Sequence, residues 1–423
     1  MPAAKQSRYF VPFLLITSLF FLWGFAHNLN PILIPHLKKA CQLTDVQSAF
    51  IDSAFFMAYF LVALPAGYYM KRYGYKSGII LGLVLFAIGA FLFYPAAELR
   101  MFGLFLAALF VIASGLTFLE TAANPYVTVL GDPATATQRL NFSQSFNGLA
   151  ASLAPLAGGL FILSGTNYTA EELAAMPVTE ATAYLDLEAS SVQLPYLLIG
   201  LVVLAVALLL WRVPLPEIVE TDEAESEEGG KSLWRQKNLL LGVGAQFFYV
   251  GAQVCIASFF IRFSGLVAGV EEKTAAMLLS AALLGFMIGR FVGTFLMKFV
   301  SPAKLLAIYS ALSFILALTA VVVSGYAAIY ALMGVEFFMS IMFPTIFSLG
   351  IQGLGTKTKQ ASSLLIMAIV GGAVLPVAMG AISDNFNLQL AYLVPALCFL
   401  FVLYFAYRNV AMGKEAKPIL AHH

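Results

Sequence analysis

The chain has 423 residues, is 61% hydrophobic and only 11% charged, and carries a formal net charge of +1. Soluble domains hold about twice that charged fraction, so the composition excludes an ordinary soluble protein. Apolar runs of roughly 20 rather than ~10 residues exclude a transmembrane barrel, and no basic, aromatic-interleaved patch suggests a nucleic-acid partner. The reading is an all-α membrane protein.

The first apolar run is too long for a signal-peptide core and is expected to stay as the first span. Twelve spans are predicted, near 9–37, 45–71, 77–96, 99–130, 139–164, 192–212, 238–263, 271–299, 303–324, 326–351, 358–384 and 387–408. Each can cross ~30 Å of hydrocarbon at ~1.5 Å per residue. Only Lys38, Lys39, Arg100, Arg262 and Lys273 fall in the loops of one side. The remaining Lys and Arg, Arg290 apart, fall in the loops of the other. The positive-inside rule then puts both termini in the cytoplasm, and a bacterial inner membrane is the expected location. Cys41, Cys255 and Cys398 lie apart, with no CxxC or metal spacing, and read as packing residues.

Between spans six and seven, Pro214 to Lys231 holds Glu217, Glu220, Asp222, Glu223, Glu225, Glu227 and Glu228. This apolar-poor stretch reads as a solvated linker. It divides the chain into an N-terminal half (1–212), a linker (213–236), a C-terminal half (237–410) and a tail (411–423). The halves repeat. Pro125 and Gly131 match Pro344 and Gly350 at an offset of 219, Pro155 and Gly159 match Pro376 and Gly380 at 221, and Gly67 and Arg72 match Gly293 and Lys298 at 226. Two parallel six-span repeats are the plan of the major facilitator transporters, with the substrate site between the halves near the midplane. Gly78 with Gly82, and Gly285, Gly289 and Gly293, form small-residue steps suited to close helix packing.

The organising stretch is Phe118 to Gly131, which places Glu120 inside a long apolar run. An ionisable group in lipid is costly and marks a functional site by default. By helical rise Glu120 lies ~16 Å from the inner end of span four, and Gln144 and Asn147 lie ~8–12 Å from the same end of span five. Asn141, Gln144 and Asn147, three apart, are expected on one face. A carboxyl among amides suits sugar hydroxyls, and burial disfavours its charge, which suits a proton carrier. The competing reading pairs Glu120 with a cation such as Arg139 as an inner lock. Asp52 and Asn30 fall ~10 Å below the outer surface, with His27 and Asn28 just deeper. Asp52 reads either as a coupling acid or as an interfacial one. Glu336, one turn from Met339, is expected to pair with Arg290. Gln246, Tyr249 and Gln253 share a stripe of span seven suited to a sugar-lined cavity, or to helix–helix hydrogen bonding. No nucleophile–base pair, phosphate loop or metal constellation is visible, so neither an enzyme nor a cofactor is expected.

Leu22-Trp23-Gly24-Phe25, Asn28-Leu29-Asn30, Ile34-Pro35-His36, Glu120-Thr121-Ala122-Ala123-Asn124-Pro125, Arg139-Leu140-Asn141, Phe146-Asn147 and Pro344 to Gly350 resemble the fucose permease family. This is the fucose–galactose–glucose:cation symporter branch of the major facilitators, and the resemblance runs from span one to span twelve. It implies monosaccharide uptake coupled to protons, or in some members to sodium. It matches Glu120 to the family's intramembrane glutamate, and Gln144 and Asn147 to sugar-contacting positions. Two departures stand out. The family's fucose permease has an aspartate where this chain has Pro31, and Met342-Phe343 stand where a more polar pair is expected. Asp52, at about the depth Pro31 vacates, is read as a partial replacement. Pro31 should also kink or break span one. The expected protein is a monomeric proton:sugar symporter in the lipid bilayer. The rivals are a sodium-coupled or uncoupled transporter and a non-transporting sugar sensor.

Overall fold

A computed structural model describes residues 3–43, 45–161, 168, 170–215 and 232–412. In chain order the helices are α1 (Ala3–His27), α2 (Asn30–Ala40), α3 (Asp45–Glu98), α4 (Phe102–Val129), α5 (Ala136–Phe161), α6 (Ala170–Ala175), α7 (Val178–Ser190), α8 (Gln193–Arg212) and α9 (Lys237–Ala268). They continue as α10 (Glu272–Leu296), α11 (Pro302–Val322), α12 (Tyr326–Met339), α13 (Met342–Ile351), α14 (Thr358–Met367), α15 (Gly371–Asn385), α16 (Leu388–Ala391) and α17 (Leu393–Ala411). Nine helical segments among the described residues are long and apolar enough to cross a membrane. One of them, Ser53–Glu98, runs 46 residues and holds two of the predicted spans.

The breaks have local causes. Span one divides into α1 and α2 around Asn28 and Leu29, with Pro31 in the first turn of α2. There its missing N–H costs nothing, because the first turn has no intrahelical acceptor to lose. The two limbs of α3 reverse at Gly74, whose φ of 82° and ψ of 170° leave the helical region. Span ten divides at Ser340 and Ile341 into α12 and α13, and span eleven passes through a 3-10 turn, Ala368–Val370, between α14 and α15. The short helices α6 and α7, between spans five and six, were not expected. The acidic linker falls mostly on residues 216–231, outside the described residues, as do 413–423 of the tail.

Two stretches are enclosed on every side: Ile112–Thr128 of α4, and nearly all of Met342–Ile351 of α13. A helix apolar and buried all round belongs at the centre of a bundle. This puts the matched Pro125 and Pro344 segments in the middle of the molecule. The second limb of α3 approaches α4 backbone to backbone, since a Cβ on Gly115 would lie 2.5 Å from the Gly82 carbonyl oxygen. On the other half, a Cβ on Gly289 would lie 2.5 Å from the Phe337 carbonyl oxygen, so α10 and α12 touch as closely. Gly285 has nothing within 4 Å of such a Cβ, so the small-residue contact of α10 begins at Gly289. The cysteines are free.

The halves meet along one stripe of α5. Thr137 Oγ1 bonds Ser348 Oγ at 2.8 Å, Gln138 Nε2 donates to the Thr294 carbonyl at 3.2 Å, Asn141 Nδ2 donates to Thr345 Oγ1 at 3.2 Å, and the Gln144 carbonyl accepts from Arg290 Nη1 at 2.8 Å. Positions 137, 138, 141 and 144 recur at helical spacing, which makes this a continuous seam. The Lys359 ammonium lies 4.8 Å from the Tyr75 ring, again across the halves. The seam runs from the α4–α5 turn inward, so the bundle is closed at that end.

Candidate functional site

Glu120 projects from the enclosed part of α4 and is 8% exposed. Its Oε1 accepts from the hydroxyl of Tyr59 on α3 at 2.6 Å. One turn further, Asn124 Nδ2 donates to the Glu120 carbonyl at 2.9 Å, and Asn124 Oδ1 accepts from Gln144 Nε2 at 3.1 Å. The polar group is therefore Tyr59–Glu120–Asn124–Gln144, drawn from α3, α4 and α5. Gln144 reaches Glu120 through Asn124 and not directly. Tyr59 is held in place by Phe55, ring centroids 5.5 Å apart, and Phe55 is in turn met edge-on by His27 at 4.8 Å. Sequence reasoning missed Tyr59, one aromatic among many on α3. Asn124 stood inside the motif, but only its spacing of four from Glu120 hinted at the link.

Asn28 and Asn147 converge on Gly24. Asn28 Nδ2 donates to the Gly24 carbonyl at 2.7 Å, which satisfies the end of α1. A Cβ on Gly24 would lie 2.8 Å from Asn147 Nδ2. Both asparagines are half-buried. Asn141, Gln144 and Asn147 do not act as one surface: Asn141 bonds Thr345 across the seam, Gln144 bonds Asn124, and Asn147 packs on α1. Asp52 lies in α3, but its side chain is outside the described residues.

Arg139 does not meet Glu120. Its guanidinium donates to the carbonyls of Val127 at 3.3 Å, Thr128 at 2.8 Å and Asp132 at 2.7 Å, and to Thr135 Oγ1. These include carbonyls left free at the end of α4, so Arg139 fixes the α4–α5 turn. The expected Glu336–Arg290 pair is absent too. Arg290 Nε donates to the Ser340 carbonyl at 2.8 Å, Nη1 crosses to Gln144, and the guanidinium lies 4.6 Å from the Phe286 ring. Two carbonyl acceptors satisfy the cation where it stands. Both carboxyl oxygens of Glu336 are buried without a hydrogen-bond partner, as are the Tyr249 hydroxyl and both amide atoms of Gln246. Gln253 is half-buried. On α9, then, two of the three predicted polar residues are enclosed and one is half-buried.

Two six-helix repeats closing around buried polar groups at their interface define a helical membrane protein of the secondary-transporter type. The sequence profile of the Major Facilitator Superfamily matches residues 14–369, and the chain belongs to that superfamily. It is 43% identical over 412 residues to the L-fucose-proton symporter of Escherichia coli, covering 95% of this chain and 94% of that one. It is 42% identical over 404 residues to the glucose/galactose transporter of Brucella abortus, covering 95% of each. The crystal structure of FucP in the outward conformation superposes with a TM-score of 0.87 at 42% identity, over 95% of this chain and 99% of that one. The proton:xylose symporter XylE, at 11% identity and a TM-score of 0.76, shares the fold.

Proposed function

We propose that this chain imports a monosaccharide of the fucose, galactose or glucose type together with a proton, by alternating access between its two halves. It would act as a monomer in a bacterial inner membrane, with both termini in the cytoplasm. The observation that carries this reading is the enclosed Glu120 carboxyl held by Tyr59 and backed by Asn124 and Gln144. Protonation removes a charge from the low-dielectric core, and the neutral carboxyl can both donate to and accept from a sugar hydroxyl. Linkage then makes proton and sugar each raise the other's affinity. Asn28, Asn147 and Gln253, all half-buried, would contact the sugar. Gln246 and Tyr249 would do so once the halves part. The relatives named as L-fucose-proton and glucose/galactose transporters support both the substrate class and the coupling.

The test is uptake of labelled fucose, galactose, glucose and mannose into proteoliposomes under an imposed pH gradient and then a sodium gradient. A pH gradient should drive accumulation. Glu120→Gln should abolish accumulation while sugar counterflow survives. A non-transporting sensor would show no counterflow at all.

Pro31, which stands where the family's fucose permease has a second acid, favours one alternative, a sodium-coupled or uncoupled carrier. In that case accumulation follows sodium, or uptake only equilibrates whichever gradient is imposed, and Glu120→Gln leaves uptake unchanged.

A further inference from the structure

A groove of about 400 Å³ opens where α1, α5 and α10 meet. Its walls are largely aromatic. Phe291 and Phe295 stand one turn apart on α10, and Lys298, just past the end of that helix, continues the same face. Across from them, Phe142 of α5 stacks on Phe13 of α1, ring centroids 6.1 Å apart. Phe142, Phe291 and Phe295 are all exposed. The Gln138 to Thr294 bond ties α5 to α10 within the groove. The groove therefore straddles the two halves of the molecule.

Two cations line it, Arg139 and Lys298. Among the described residues neither makes an ion pair. Arg139 has five N–H groups. Four go to the Val127, Thr128 and Asp132 carbonyls and to Thr135 Oγ1, which leaves one on Nη2. Those acceptors are neutral, so they hold the guanidinium without cancelling its charge. The Asp132 carboxylate, in the same turn, accepts from the Ala134 N–H at 2.9 Å. The Lys298 ammonium lies 5.4 Å from the centroid of the Phe295 ring, and its long stem leaves it free to move along the groove. By helical rise Phe142 is about 5 Å deeper than Arg139, and Phe291 about 10 Å deeper than Lys298. The charges thus stand at the end of the groove nearest the α4–α5 turn, and the rings run from there into the apolar zone.

We infer that this groove binds an anionic phospholipid, with the phosphate on Lys298 and Arg139 and an acyl chain along the four rings. Charge at the membrane boundary and apolar surface below it match a lipid in both sign and direction. A small soluble anion would use the cations and leave the rings uncovered. A zwitterionic lipid would cover the rings and bring no net charge to the cations. Basic pockets between membrane helices on the cytoplasmic side take anionic head groups in this way. The choice of the cytoplasmic leaflet rests on the topology proposed above; the site itself does not. A lipid seated there would touch both halves beside the seam that α5 closes.

The experiment places the full chain in nanodiscs of phosphatidylglycerol and phosphatidylethanolamine in known proportion. The photoreactive p-benzoylphenylalanine, which keeps an aromatic ring, is incorporated at Phe291, and the adducts are weighed by intact mass. Phosphatidylglycerol adducts should exceed the proportion of that lipid in the disc. A basic side chain near an anionic membrane surface is worth a factor of about five, so Lys298→Gln should cut the excess about fivefold. Lys298→Arg should keep it. Lys71→Gln removes the same charge from an exposed position on α3 outside the groove, and should keep it too. Adducts in the proportion of the disc overturn the proposal, as does an excess that survives Lys298→Gln. Cross-links to the chain's own acidic linker or to a second copy, in place of lipid, also overturn it. Sugar transport is not read, and both leaflets of the disc hold both lipids. Failure of the symport or topology reading therefore leaves these outcomes unchanged.

Discussion

The Tyr59 hydroxyl donates to the Glu120 carboxyl at 2.6 Å across the α3–α4 interface, and this bond is enclosed by protein on all sides. Glu120 is thereby oriented by a ring that belongs to a different helix. That ring is in turn fixed by Phe55 and His27.

Tyr59→Phe keeps the stack on Phe55 and removes only the donor. A hydrogen bond to an ionisable group contributes about 1.5–3 kcal/mol. The expected outcome is a fall of roughly tenfold or more in kcat/KM for uptake driven by a pH gradient. Counterflow should persist, as both are measured in the same proteoliposomes. Equal loss of the two would mean that Tyr59 supports folding rather than the carboxyl.

The seam along α5 predicts a population shift. Asn141→Ala removes the bond to Thr345, and Thr137→Val removes the bond to Ser348. Each loses about 1 kcal/mol from the closed arrangement, which moves the open-to-closed ratio about fivefold. Alkylation of a cysteine placed on the seam face of α5 should quicken by about that factor. Asn385→Ala, whose bond to the Ala381 carbonyl is local to α15, should leave the rate unchanged.

The contacts of α7 with α2 and with the α3–α4 turn predict a contrast in stability. Lys39 on α2 bonds Glu188 on α7 at 3.0 Å, with the Glu188 side chain 2% and Lys39 20% exposed, whereas the Arg100–Asp186 pair is 30% and 58% exposed. Glu188→Ala should cost about 2 kcal/mol, less than a fully enclosed pair because Lys39 still reaches water. Asp186→Ala should cost about 0.5 kcal/mol or less. Burial disfavours the Lys39 ammonium, but hydrogen bonds to Tyr184 and Glu188 outweigh it and hold the group charged above its ordinary 10.5. A raised lysine value means that this contribution is fully present below pH 10.5 and lost only at more alkaline pH. Thermal unfolding of the two variants at neutral pH should therefore show the whole difference.

Much of this protein was legible without coordinates. The twelve spans follow from runs of apolar residues, because lipid forces every backbone polar group into an internal bond and leaves the helix as the local solution. The two repeats follow from Pro125 and Pro344, and the choice of Glu120 as a candidate from the cost of a charge in an apolar run. The helices α6 and α7 were missed because they lie outside the apolar runs, where no such constraint acts.

Partner identity is what the tertiary structure decided. Arg139 could have met Glu120, and Arg290 could have met Glu336, since depth along a helix permits both. Instead Arg139 meets the end of α4, and Arg290 meets Ser340 and the Gln144 carbonyl. The reason is physical. Periodicity tells which residues share a face and how deep they lie, but rotation of one helix against another sets which side chains touch. That rotation is chosen by packing over the whole interface, as where Gly115 meets Gly82 and Gly289 meets Phe337. Tyr59 was brought onto Glu120, and Glu336 was left without a hydrogen-bond partner, through that choice alone.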